Sequence, residues 1–121
     1  PELHYGRDAL IGVALFLTQL SERKISAKGL RDSYPNYFIS KNKIRLTPEI
    51  DVDTILSTLA EKYKKEKITT IDGLKIDFKE GWVHLRKSNT EPIIRIYAES
   101  EGEKKAHALA EQMINDIKEL V

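Results

Sequence analysis

Leu74-Lys75-Ile76-Asp77-Phe78-Lys79-Glu80-Gly81-Trp82-Val83-His84-Leu85-Arg86 is the stretch that decides the fold. Leu74, Ile76 and Phe78 alternate with Lys75 and Asp77, the two-residue period of a strand with one face on a core. Lys79-Glu80-Gly81 reads as a short turn, with glycine available for a left-handed residue. Alternation resumes over 82–86, where Val83 and Leu85 face inward and Trp82, His84 and Arg86 face outward. Residues 93–99 repeat it, with Ile94, Ile96 and Ala98 inward and Ile93, Arg95, Tyr97 and Glu99 outward.

Working outward, Ser100 and Glu103 stand at capping-box spacing. Beyond them Ala106, Leu109, Ala110, Met113, Ile114, Ile117 and Leu120 form one apolar helical stripe. Upstream, Ile55, Leu56, Leu59, Ala60 and Tyr63 mark a helix over 54–65, capped by Asp51 or Asp53 after a break at Pro48. Residues 37–45 supply a strand or two. Residues 37–121 thus read β-α-β-β-β-α, an α+β class with an antiparallel four-stranded sheet and two helices on one face.

Residues 7–20 read differently. Ala9, Leu10, Ile11, Val13, Ala14, Leu15, Phe16 and Leu17 cover nearly the whole helix circumference, a pattern of burial on several sides. Either this is a central core helix of the domain, or its partners lie outside the given chain. Residues 21–34 form a connector, with Ser26 capping a short helix over 27–31 and Pro35 ending it. The expected organisation is 1–36 as a terminal helix plus connector, and 37–121 as a separate domain. The chain opens at Pro1, which sets the expectation of a piece of something longer.

Composition narrows the function. Of 121 residues, 40% are apolar and 32% charged, ordinary for one folded domain. Lys plus Arg number 20 against 19 Asp plus Glu, a net charge of +1. That balance disfavours general nucleic-acid binding, which needs clustered uncompensated cations. There is no cysteine, which excludes disulfides, zinc-thiolate sites and a cysteine nucleophile. The run from Ala9 to Leu17 is too short for a membrane span, and the expected location is cytoplasmic.

The chemistry concentrates in Arg86-Lys87-Ser88-Asn89-Thr90-Glu91-Pro92-Ile93-Ile94-Arg95. Both arginines emerge on the same strand face beside the loop joining their strands. Like charges paired across strands repel, and an anion between them reverses the penalty. Arginine's planar fork suits phosphate, and Ser88, Asn89 and Thr90 supply further donors. The competing reading is a solvated turn with Glu91 or Glu99 neutralising the arginines. His4, His84 and His107 show no metal spacing. Asp51-Val52-Asp53 sits where caps belong, Lys62, Lys64, Lys65 and Lys67 suit a helix end, and Trp82 reads as packing under a loop.

Arg86-x-Ser88-Asn89-Thr90-Glu91-Pro92-x-x-Arg95 resembles the phosphate-binding signature of the last domain of α-D-phosphohexomutases, without a gap or a substituted key position. Asp72-Gly73-Leu74-Lys75 and Glu99 also resemble that domain, and Gly6-Arg7-Asp8-Ala9 resembles the start of the last helix of the domain before it. The family consists of four-domain enzymes that move phosphate between the 1- and 6-positions of a sugar through a phosphoserine and a bisphosphate intermediate. The resemblance implies that Arg86, Ser88, Asn89, Thr90 and Arg95 grip the non-reacting phosphate of a sugar-phosphate substrate. It implies Mg2+ and a sugar bisphosphate activator in the full-length parent, with the serine, metal and sugar-selecting loops in its other domains and an inactive fragment here. No nucleic acid and no membrane are expected as partners. Asn89 leans toward a glucose or mannose phosphate, since the bacterial glucosamine branch resembles Ser-Gly-Thr there. The rival is a stand-alone RNA- or phospho-ligand-binding module using Trp82, Tyr97 and both arginines.

Overall fold

The computed structural model describes residues 8–47, 50–88 and 90–121. His4, the Gly6-Arg7 pair and the expected break at Pro48 lie outside the described residues. The chain divides between Pro35 and Asn36 into two compact units.

The first unit contains α1 (Ala9–Arg23) and α2 (Ala27–Asp32). The Asp8 carboxylate starts α1 by accepting from the Leu10 and Ile11 N–H groups at 3.0 and 3.2 Å. Nothing in Ser21-Glu22-Arg23 breaks a helix, so α1 runs a turn past its expected end. It stops at Lys24, whose left-handed backbone (φ 53°) sends its N–H to the Leu20 and Ser21 carbonyls. No residue of α1 is buried, and Leu10 is 80% and Leu15 66% exposed. The Ser26 hydroxyl caps α2 through the Gly29 N–H at 3.1 Å, and Leu30 is buried.

The second unit contains β1 (Phe38–Arg45), α3 (Val52–Lys62), β2 (Lys67–Thr69), β3 (Leu74–Phe78), β4 (Gly81–Lys87), β5 (Ile93–Ser100) and α4 (Glu103–Lys118). The strands form one sheet in the order β1-β5-β4-β3-β2, every pair antiparallel. It is the expected α+β architecture, with five strands rather than four. The added strand is Lys67-Ile68-Thr69, too short to display a period and paired to β3 at the sheet edge. From β1 at one edge, α3 leads to β2 at the other, and the hairpins β2-β3-β4-β5 fill the space between. That route places the β4–β5 loop at the middle of one sheet end.

Leu74, Ile76, Val83, Leu85, Ile94, Ile96 and Ala98 all point to one face and are fully buried. Ile55, Leu56 and Leu59 of α3 and Ala110, Met113 and Ile117 of α4 join them in a single core. Each large side chain contributes about 1.5–3 kcal/mol by leaving water. Leu120 departs from the expected stripe, because α4 ends at Lys118 and leaves it exposed. Tyr63 fastens α3 to α4. Its hydroxyl donates to Asp116 at 2.5 Å and accepts from Gln112 at 2.8 Å. Burial, reinforced by that Asp116 contact, pushes the Tyr63 phenol up to about 12.

Two local expectations are corrected. The cap of α4 is Gly102, with no side-chain hydrogen bond, rather than Ser100. Ser100 instead ends β5, buried, with its hydroxyl donating to the Glu80 carbonyl. Among the described glycines the left-handed one is Gly73 (φ 77°), not Gly81. Gly81 is needed for closeness: a Cβ there would lie 2.0 Å from the Glu99 carbonyl oxygen of the neighbouring strand. No helix among the described residues is long and apolar enough to cross a membrane.

Candidate anion-binding site

The β4–β5 register sets Arg86 directly opposite Arg95, and His84 directly opposite Tyr97. Their neighbours Leu85 and Ile96 are buried under the helices, so these four side chains stand on the sheet's open face. Together they line a cleft of about 80 Å³. Both arginines are exposed. Arg95 forms no ion pair with any described residue.

Among the described residues Arg86 has one carboxylate beside it. Its Nε lies 3.2 Å from Asp72 Oδ2. Gly73 brings Asp72 there: with φ 77° it packs its Cα against β4, and a Cβ would sit 2.2 Å from the Leu85 carbonyl oxygen and 3.2 Å from Arg86 Cα. His84 Nε2 is 2.5 Å from the Asp72 carbonyl oxygen. A carbonyl only accepts, so His84 carries its proton on Nε2. The contact is made through Nε, at one edge of the guanidinium. The carboxylate beside Arg86 is thus Asp72, where the competing solvated-turn reading named Glu91 or Glu99. Glu99 is instead engaged by the Trp82 indole, which donates to it at 2.9 Å.

The loop 88–92 is closed by backbone. Ser88 N–H donates to the Ile93 carbonyl at 3.1 Å and Ile93 N–H to the Glu91 carbonyl at 2.8 Å. Leu46 N–H reaches the Pro92 carbonyl at 2.9 Å, tying the loop to the exit of β1. The hydroxyls are less committed. Ser88 Oγ and Thr90 Oγ1 stand 3.4 Å apart, and the Thr90 N–H is 3.5 Å from Ser88 Oγ, both at the weak limit of hydrogen bonding. Ser88 and Thr90 thus lie on the loop adjoining the arginine pair, while Asn89 lies outside the described residues. Lys87 faces the helix side, where its ammonium holds Asp53 of α3 at 2.7 and 3.0 Å.

Several of the remaining polar candidates have structural partners. Asp51 caps α3 by accepting from Thr54 Oγ1 at 2.6 Å and the Asp53 N–H at 3.1 Å. Those bonds, the Thr54 hydroxyl first, hold its carboxyl below the ordinary 3.8. Lys62 donates to Asp116. Trp82 also lies under the Lys75 ammonium, 5.4 Å from its ring centroid. His107 Nδ1 is 3.1 Å from Ser40 Oγ, and Asn42 donates to the same oxygen at 2.9 Å. With Glu103 3.8 Å from His107 the trio has the composition of a nucleophilic triad. Ser40, however, is only 4% exposed and fastens α4 to β1. No group of three or more His, Cys, Asp or Glu among the described residues is placed to hold a metal ion.

Comparison with known proteins bears on this arrangement. Residues 43–116 match the family model of the phosphoglucomutase/phosphomannomutase C-terminal domain. A Sulfurisphaera tokodaii protein named phosphoglucosamine/phosphogalactosamine mutase is 38% identical over 123 residues, covering 100% of this chain and 26% of its own length. A Thermococcus kodakarensis phosphoglucomutase/phosphomannomutase is 36% identical, covering 98% of this chain and 26% of its own length. The chain therefore spans about a quarter of the length of these relatives. A solved phosphoglucomutase/phosphomannomutase family protein from Burkholderia thailandensis superposes with a TM-score of 0.56 over 74% of this chain and 19% of its own, at 22% identity, a likeness of fold.

Proposed function

Because the chain belongs to the phosphoglucomutase/phosphomannomutase family as its C-terminal domain, we propose that it holds the non-reacting phosphate of a hexose phosphate while other parts of the parent protein transfer the second. The observation that carries the reading is the Arg86–Arg95 pair, set opposite by strand register and sharing one open cleft. A phosphate dianion between the guanidiniums relieves their repulsion and takes charge-assisted hydrogen bonds from both. Ser88, Asn89 and Thr90 add donors from the loop. Asp72 is a positioning residue, holding Arg86 by its Nε edge.

In the parent, this grip would fix the sugar so that its other end meets the reacting groups. Phosphoryl transfer depends mainly on such positioning and on charge stabilisation. The names of the relatives span glucosamine, galactosamine, glucose and mannose phosphates. The substrate class proposed is accordingly a hexose phosphate, converted between its 1- and 6-phosphates. Among the described residues no group of His, Asp or Glu fits the magnesium site that the family implies. Magnesium and the bisphosphate activator are assigned to other parts of the parent, and the isolated chain is expected to show no mutase activity.

The test is an amide NMR titration of the 121-residue chain with inorganic phosphate at low ionic strength. Each charge-assisted bond is worth about 1.5–3 kcal/mol, and ordering an open loop with a small ligand consumes most of that. Dissociation constants of order millimolar result. Amides over 86–95 should shift, Arg86→Ala and Arg95→Ala should each remove most of the binding, and Lys87→Ala should leave it nearly unchanged. Absence of shifts over 86–95, or unimpaired binding in both arginine variants, overturns the proposal.

A further inference from the structure

The strand register continues the cationic row past the arginine pair. Lys43 of β1 lies opposite Arg95, which lies opposite Arg86. One step along the strands, Lys41 lies opposite Tyr97, with its ammonium 5.8 Å from the ring centroid. Neighbouring strands are about 4.8 Å apart, so the three Cα positions of the row span about 10 Å, within the reach of long side chains. Lys41, Lys43 and Arg95 are all exposed. None of them forms an ion pair with a described residue.

A second cleft of about 330 Å³ opens on this side, lined by Lys41, Lys43, Glu91, Arg95 and Tyr97 among others. It shares Arg95 and Tyr97 with the 80 Å³ cleft, so the two are adjacent basins with Arg95 as their common wall. Among the described residues lining it, three cations face the single carboxylate of Glu91 and leave the second basin positive. Toward the other end of the face Glu99 and Asp77 flank Trp82 in the register, and Lys67 opposite Asp77 and Lys75 paired with it balance their charge. The excess cations are therefore gathered at the loop end, although the whole chain carries a net charge of only +1.

We propose that Lys41 and Lys43 form a second anion subsite beside the first, so that the open face takes a ligand with two linked phosphates, one on each side of Arg95. The proposal deepens the phosphate-site reading and rests on it. The chemical class is a diphosphate: two tetrahedral anions joined through one bridging oxygen, close enough to share the Arg95 fork, with Lys41 and Lys43 meeting the distal group. Glu91 is the opposing charge that limits affinity.

The experiment uses the 121-residue chain with inorganic phosphate and inorganic pyrophosphate as probes, followed by amide NMR. Pyrophosphate carries more charge and binds more tightly to any cationic site, so affinity alone does not discriminate. The proposal expects phosphate to move amides over 86–95, and pyrophosphate to move those and the amides of 41–45. A Lys41→Ala/Lys43→Ala double variant should lose about tenfold in pyrophosphate affinity and less than about twofold in phosphate affinity. Glu91→Gln should strengthen pyrophosphate binding, and Lys104→Ala on α4 should change neither. If pyrophosphate moves only 86–95, or the double variant weakens both ligands equally, the second subsite is refuted while the first stands. If neither ligand moves 86–95, both readings fall.

Discussion

At Gly73 the backbone has φ 77° and an added Cβ would meet the Leu85 carbonyl oxygen at 2.2 Å. The left-handed conformation alone costs an L-residue about 1–2 kcal/mol, and the clash adds to it. Gly73→Ala should therefore lower the urea midpoint by more than the left-handed term alone, and it should weaken phosphate binding by displacing Asp72 from Arg86. Asp72 allows a test of sign. If it only competed with the ligand for Arg86, Asp72→Ala would tighten phosphate binding. As a positioning residue it should do the reverse, loosening binding severalfold in a titration although a negative charge has been removed. Residue by residue, the arginine pair was legible because strand alternation fixes which side chains share a face. Asp72 was not, because its approach to Arg86 depends on a left-handed turn between strands rather than on any period. Ser100 was misread because its spacing to Glu103 suits a cap, whereas pairing with Gly81 and a bond to the Glu80 carbonyl hold it in β5.

Among the elements, α3 and α4 were readable from their apolar stripes, and β3, β4 and β5 from their alternation. The three-residue β2 was not, since its place comes from pairing with β3 at an edge. The junction of α3 and α4 makes a pH prediction. The Tyr63 phenol is held up to about 12 in the folded chain against an ordinary 10.0, by burial and by Asp116. A proton bound more tightly in the folded state stabilises it below pH 10, and that contribution is lost as pH rises through about 12. Chemical denaturation between pH 9 and 12 should show a fall in stability that is shallower in Tyr63→Phe. The N-terminus of α3 behaves in the opposite sense. Asp51 is held below 3.8, so it stabilises the fold above that pH and stops doing so as pH falls through its lowered value. Asp51→Ala should lower Tm at pH 7, with the difference from wild type shrinking as the pH drops toward 2.

At the scale of the whole molecule, the second unit holds the core, and no residue of α1 is buried. Deleting residues 1–20 should leave the amide spectrum of 37–121 essentially unchanged, and global unfolding of that truncation would contradict the division. The periodic apolar residues of α1 made its helix legible in the sequence. The central claim concerns the ligand. A crystal structure of the chain grown with excess glucose 6-phosphate tests it most directly. The account predicts the phosphate between the guanidiniums of Arg86 and Arg95, within hydrogen-bond distance of both and of the 88–90 loop, with Asp72 still against Arg86 Nε. A phosphate bound elsewhere, with the two arginines unliganded at saturating concentration, would contradict it.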